Sequence, residues 1–145
     1  MSDVAGLVAT LCTALFCGAA VYINLVEHPA RMGCDTRVAF AQWAPSYQRA
    51  TLMQASLAVL GALAGVAAWA LGGGSGWLLG AVLIGAVVPF TFLAIMPTNR
   101  RLLAPDRDPD APDTRQLLEA WGRLHAVRSA LSLFATLLYL ALLVR

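Results

Sequence analysis

The groups best suited to proton chemistry in this chain are the imidazoles of His28 and His125, the only two histidines among its 145 residues. His28 belongs to Asn24-Leu25-Val26-Glu27-His28-Pro29-Ala30-Arg31, where a carboxylate, an imidazole and a guanidinium follow directly on the uncharged run Val4–Val26. His125 belongs to Trp121-Gly-Arg-Leu-His-Ala-Val-Arg128. A neutral imidazole beside an apolar phase can take a proton from an acidic C–H or a phenol. Glu27 could orient such a base or raise its basicity. Asn99 or Arg128 could hold the oxyanion left behind. This chemistry needs no cofactor. Two imidazoles and a carboxylate are also the donors of non-haem iron sites, and imidazole suits copper. His28, His125 and Glu27 are therefore candidate ligands for iron or copper, although ligation by the adjacent Glu27 and His28 is awkward. Haem held between the two histidines is a less favoured reading.

Each group also has a plain structural role open to it. Glu27 can pair with Arg31, Arg49 or Arg128, and His28 can face lipid headgroups. Thr98 and Asn99 can cap a helix. Arg128 can snorkel to phosphate. Trp43 and Trp121 can anchor at the membrane interface, with Tyr47 at the same level.

Composition places these groups in a membrane. The chain is 59% hydrophobic and 12% charged, with mean hydropathy +0.71, whereas soluble domains carry about 25% charged residues. A net charge of +2 gives no argument for nucleic acid. The basic side chains are all arginine. Cys12 and Cys17 read as small apolar residues and Cys34 as an unpaired loop thiol, with no disulfide or zinc spacing. Met1-Ser2-Asp3 lacks a positive leader region, and the first apolar run exceeds the usual ~7–15 residues of a signal peptide. A retained transmembrane helix is expected there.

The expected architecture is all-α, a polytopic four-transmembrane-helix bundle forming a single integral membrane domain, with helices near 4–27, 46–71, 77–96 and 114–144. Pro29 should end or kink the first helix. Asp35 or Thr36 should cap a short helix through Trp43, and Pro45 should open the second membrane helix. Gly72 to Gly76 should form a tight turn, Pro89 should kink the third helix, and Pro97-Thr98-Asn99 should stop it. Asp113 with Gln116 resembles a capping box. On the last helix, Arg115, Glu119 and Arg123 should form an outward ladder, while Leu117, Trp121, His125 and Arg128 share the opposite face. The acidic, proline-rich stretch from Asp106 to Pro112 reads as a solvated loop.

Four crossings place both termini on one side and the connections 28–45 and 97–113 on the other. All of the ten arginines except Arg145 collect at that second side. The positive-inside rule makes it cytoplasmic, with both termini and the glycine turn outside, as in a bacterial inner membrane. Independently of orientation, Glu27 and His28 end one helix where Tyr47, Gln48, Arg49 and Gln54 begin the next. Thr91, Thr98 and Asn99 end the third where His125, Arg128, Ser129 and Ser132 enter the fourth. The polar groups therefore gather in one half of the bundle, and the other half should be nearly free of them.

The segments Gly18-Ala-Ala-Val-Tyr-Ile-Asn-Leu-Val-Glu-His-Pro-Ala-Arg31, Trp43-Ala-Pro-Ser-Tyr-Gln-Arg49, Pro89-Phe-Thr, Met96-Pro-Thr-Asn-Arg-Arg-Leu102 and Trp121-Gly-Arg-Leu-His-Ala-Val-Arg128 resemble the anthrone oxygenase-like family of small four-helix membrane proteins. The matching positions include Glu27, His28, Arg31, Trp43, Tyr47, Thr98, Asn99, Trp121, His125 and Arg128. The resemblance implies an oxygenase of lipophilic anthrone-, phenol- or quinone-like substrates. His28, His125, Glu27 and Asn99 would then be catalytic, with Arg31, Trp43, Tyr47, Thr98, Trp121 and Arg128 in support. The competing reading is a non-catalytic membrane protein that binds a lipid, small molecule or metal, or an accessory subunit. The expected partners are membrane lipid and a lipophilic small molecule, with a homo-oligomer as a further option.

Overall fold

The computed structural model describes every residue from Met1 to Arg145. Four helices are long and apolar enough to cross a membrane: α1 (Ser2–Met32), α2 (Thr36–Gly73), α3 (Ser75–Leu102) and α4 (Pro112–Leu143). They form an antiparallel ring in which α1 packs on α2 and α4, and α3 closes the ring between α2 and α4. Large apolar side chains point outward along the whole length, among them Leu11, Leu15, Leu60, Leu63, Leu79, Val82, Phe92 and Phe134. In water this surface would be an aggregation hazard; in lipid it is the expected exterior.

The interior has three layers. Phe16, Ala20, Ala58, Ile84, Val87 and Ala135 fill the middle. At the end carrying the termini, Trp77 and Tyr139 stack with ring centres 5.1 Å apart, beside Ala9 and Ala68. Gly6, Gly73 and Gly80 leave the room these rings occupy: a Cβ on Gly6 would lie 2.7 Å from Trp77. At the opposite end Ile23, Ala39, Trp43, Ile95, Leu102, Leu117, Leu118 and Trp121 pack together. The end with the termini is not free of polar side chains, contrary to expectation. Thr10, Thr13, Thr136 and Tyr139 are buried in that half, and the Tyr139 hydroxyl donates to the Trp77 carbonyl at 3.4 Å.

The prolines follow expectation only in part. Pro29 and Pro97 do not end their helices. Each is preceded by a π-helical turn, Ile23–Glu27 in α1 and Thr91–Ile95 in α3. The N–H of His28 reaches back to Ile23 and that of Met96 to Thr91. A proline lacks an N–H and crowds the carbonyl four residues earlier. The wider turn relieves that crowding, and the helix resumes beyond it. Pro45 lies inside α2 rather than at its start. That helix begins at Thr36, where the Asp35 carboxylate accepts the Val38 N–H at 2.9 Å. Near Pro89 the α-helical ladder is interrupted at Ala86.

The connections also differ in detail. Asp113 does not cap α4. Ala111 holds the cap position without a side-chain bond, and Asp113 instead takes Arg107 at 2.7 Å and Arg101 at 3.2 Å. Arg107 is mostly covered, so the acidic loop is partly anchored. Of the Arg115–Glu119–Arg123 ladder, only the Arg115–Glu119 leg forms, at 3.8 Å. Arg115 also donates to the Met32 carbonyl at 2.6 Å, tying α4 to the end of α1. Gly72 and Gly74 adopt positive φ in the α2–α3 turn.

Candidate functional site

Helix α1 places Glu27 and His28 just before Pro29 and Arg31 just after it, at one end of the bundle. Arg31 is buried. Its guanidinium donates to the Glu27 carboxylate, to the side-chain Oε1 of Gln42 and to Ser46 Oγ at 3.2 Å. A further N–H, on Nη1, faces His28 Nδ1 at 3.3 Å. Ser46 also donates to Glu27. Of the partners expected for Glu27, the structure selects Arg31. Arg49 and Gln48 are exposed and do not join the cluster.

The face of α4 carrying Leu117, Trp121, His125 and Arg128 is buried as its spacing predicted. The Trp121 ring touches both imidazoles, with centres 5.2 Å from His28 and 4.9 Å from His125. His28 enters a notch at Gly122, where a Cβ would lie 2.5 Å from His28 Nε2. Thus His28 is mostly covered by protein and does not sit among headgroups. Trp43 and Trp121 are not interface anchors either. Both are buried, 5.8 Å apart edge to face, and Tyr47 stacks on Trp43 at 5.0 Å.

Asn24 was absent from the residues singled out in the sequence, yet it joins α1 to α4 at this level. Its Nδ2 donates to the Gly122 carbonyl at 3.0 Å. Its Oδ1 accepts Ser129 Oγ at 2.5 Å and meets His125 Nδ1 at 2.8 Å. An uncharged amide near the end of a long apolar run was the available signal, since lipid would leave its polar atoms unsatisfied.

Below this layer, a cavity of about 90 Å³ lies between α2 and α3. Phe16, Ala58, Val87, Val88, Phe92 and Met96 give it apolar walls. Tyr47, Thr51, Gln54, Thr91 and Arg128 add polar groups. Phe92 is 63% exposed on the lipid-facing side. Arg128 does not snorkel. It is buried, stacks over Phe16 at 5.4 Å and donates through Nη2 to Gln54 Oε1 at 2.8 Å. Arg128 Nε and Gln54 Nε2 have no partner. In the sequence Gln54 stands among the polar groups that begin the second membrane helix, with no partner assigned.

Asn99 is fully buried on the α3 face it shares with Ile95 and Leu102, and it does not cap the helix. Both its amide atoms lack partners, as do the indole N–H groups of Trp43 and Trp121. Thr98 is half-buried beside it. The three candidate metal ligands do not converge: no group of three or more His, Cys, Asp or Glu side chains is placed to share an ion. Glu27 is engaged by Arg31 and Ser46, and His125 Nδ1 by Asn24.

Among known proteins, the family described as anthrone oxygenase matches residues 43–138. That span holds Trp43, Tyr47, Gln54, Asn99, Trp121, His125 and Arg128 and leaves out Asn24, Glu27, His28 and Arg31. Anthrone oxygenase tpcL of Aspergillus fumigatus is 40% identical over 78 residues, covering 50% of this chain and 48% of that relative. The chain thus spans about half the length of this relative. Anthrone oxygenase dmxR16 of Cryptosporiopsis sp. is 28% identical over 138 residues, covering 90% of this chain and 80% of the relative. No solved structure matches the chain.

Proposed function

The chain belongs to the anthrone oxygenase family, and from that premise we propose that it is a membrane-embedded oxygenase of a lipophilic anthrone-, phenol- or quinone-like substrate. The observation that carries this reading is a buried arginine at the inner end of an apolar cavity whose rim includes lipid-exposed Phe92. A fused-ring ketone or phenol partitions into the bilayer and enters between α2 and α3. The ring bearing its oxygen lies against Phe16, Val87 and Val88 with that oxygen at Arg128, and the remaining rings extend past Phe92 toward lipid. Developing negative charge on that oxygen is stabilised by a guanidinium already held in place by Gln54.

His125 lies one turn earlier on the same face, about 4.5 Å along the helix axis. It takes the proton from the acidic C–H. The resulting enolate is electron-rich enough to reduce dioxygen, which adds to the same carbon. Loss of water then leaves the new carbonyl, so one anthrone and one dioxygen give one anthraquinone and one water. Asn99, with both amide atoms unpartnered, lies outside the lining of this cavity and is given no part in the reaction.

The test uses purified protein in lipid nanodiscs, with oxygen uptake and product absorbance followed on an anthrone and on a hydroquinone. His125→Ala and Arg128→Met should each lower turnover by about 10²-fold or more, and His125→Ala should leave the protein folded. Elemental analysis of the same sample for iron and copper tests a metal-dependent variant. A wild type that consumes no oxygen with either substrate, and a His125→Ala variant that simply unfolds, would leave the cluster as a structural lock and end the enzyme reading.

A further inference from the structure

The chain has only two histidines, and their partners impose opposite proton placements. Arginine donates and never accepts. Arg31 Nη1 faces His28 Nδ1 at 3.3 Å, so Nδ1 must offer its lone pair and the ring proton sits on Nε2. At His125 the partner of Nδ1 is an amide oxygen. The orientation of the Asn24 amide is decided by a third group, the Gly122 carbonyl, which can only accept. It lies 3.0 Å from Nδ2. Turning the amide over would set two oxygens against each other and strand the amide oxygen. With Oδ1 held toward α4, Ser129 Oγ donates to it at 2.5 Å, and His125 Nδ1 at 2.8 Å must donate as well. The lone pair of His125 is then on Nε2, which makes no bond to the protein.

We infer that Asn24 is a positioning residue that fixes His125 in the Nδ1-protonated form, making His125 Nε2 the base of the site, while His28 serves as a donor. This inference rests on the oxygenase reading for its catalytic meaning, but the proton placement can be measured without turnover. Two helices hold the arrangement: α1 supplies Asn24, and α4 supplies Gly122 and Ser129 from the turns flanking His125. The charged groups packed around His125 are Arg31 from α1 and Arg128 from α4, with His28 across the Trp121 ring.

Nitrogen NMR of protein carrying labelled histidine reads the result directly, because there are only two rings and His28→Gln assigns them. The expected wild-type spectrum holds one neutral ring protonated at Nδ1 and one protonated at Nε2, with the first belonging to His125. Asn24→Leu should abolish the uniform Nδ1-protonated signature of His125. Ser129→Ala should leave it unchanged. With an anthrone, Asn24→Leu should lower kcat by about 10²-fold, the scale of a general base, with KM little altered. A wild-type His125 protonated at Nε2, or an Asn24→Leu spectrum identical to wild type, would overturn the inference. The wild-type spectrum alone suffices if Asn24→Leu does not fold. An enzyme inactive toward anthrones but showing the expected spectrum would end the oxygenase reading and uphold the proton placement.

Discussion

Removing the charge of Glu27 is the most direct test of the polar end of the bundle. The Arg31 side chain is 3% exposed and that of Glu27 24%. In Glu27→Gln, the guanidinium keeps its contacts to Gln42, Ser46 and His28 but loses its only carboxylate. Breaking a fully buried pair costs about 3–5 kcal/mol, and an exposed pair contributes ~0–1 kcal/mol. Glu27 is a quarter open to solvent and its arginine keeps neutral partners, so the expected loss lies between, at about 1–3 kcal/mol. Glu119→Gln is the control. It breaks a 3.8 Å pair with Arg115 whose side chains are 41% and 48% exposed, and should cost no more than ~1 kcal/mol. Unfolding in mixed micelles, followed by tryptophan fluorescence, reports on Trp43 and Trp121 at this end. Raising salt to about 1 M should erase the effect of Glu119→Gln and spare that of Glu27→Gln, since screening reaches exposed charges first. Equal losses in the two variants, or equal sensitivity to salt, would mean that Glu27 is solvated and the network is not closed.

Gly80→Ala, at the other end, would drive a methyl group into the Tyr139 ring, 2.7 Å from Cδ1. With Trp77 confined behind it, this should cost about 1–3 kcal/mol in the same melt; a change under ~0.5 kcal/mol would show that the ring has room. For orientation, we propose that both termini face outward. A cysteine introduced at exposed Ser75 should then react with an impermeant thiol reagent in intact cells, and exposed Cys34 should not. The reverse pattern would invert the topology.

The number of helices and the gathering of polar groups at one end were legible because hydropathy and crossing parity decide them. The buried face of α4 was legible from the spacing of Leu117, Trp121, His125 and Arg128. Helix boundaries were not. Pro29 read as an end or a kink and Pro97 as a stop, because a one-residue widening of the backbone leaves no mark in the hydrophobic pattern. Trp43 and Trp121 read as interface anchors because amphipathic rings favour headgroups. Nothing in a single sequence says that Trp43 and Trp121 pack inward with Ala39, Ile95 and Leu118. Asn24 escaped notice for a related reason: its partners, Gly122 and Ser129, are a helix away, and one of them is a backbone carbonyl.

The wide turn at Ile23–Glu27 has a consequence for how such a site could arise and be lost. A helix holding one additional residue in a turn rotates everything beyond it by about 100° relative to the uninterrupted course. His28 and Arg31 face the bundle only because that rotation has occurred upstream of them. Deleting a single residue among Leu25, Val26 and their neighbours would leave the apolar character of the segment intact and still span the bilayer. It would nonetheless swing the imidazole and guanidinium out toward lipid. The register of this one turn, rather than the identity of any polar side chain, is therefore the most fragile inheritance in the chain.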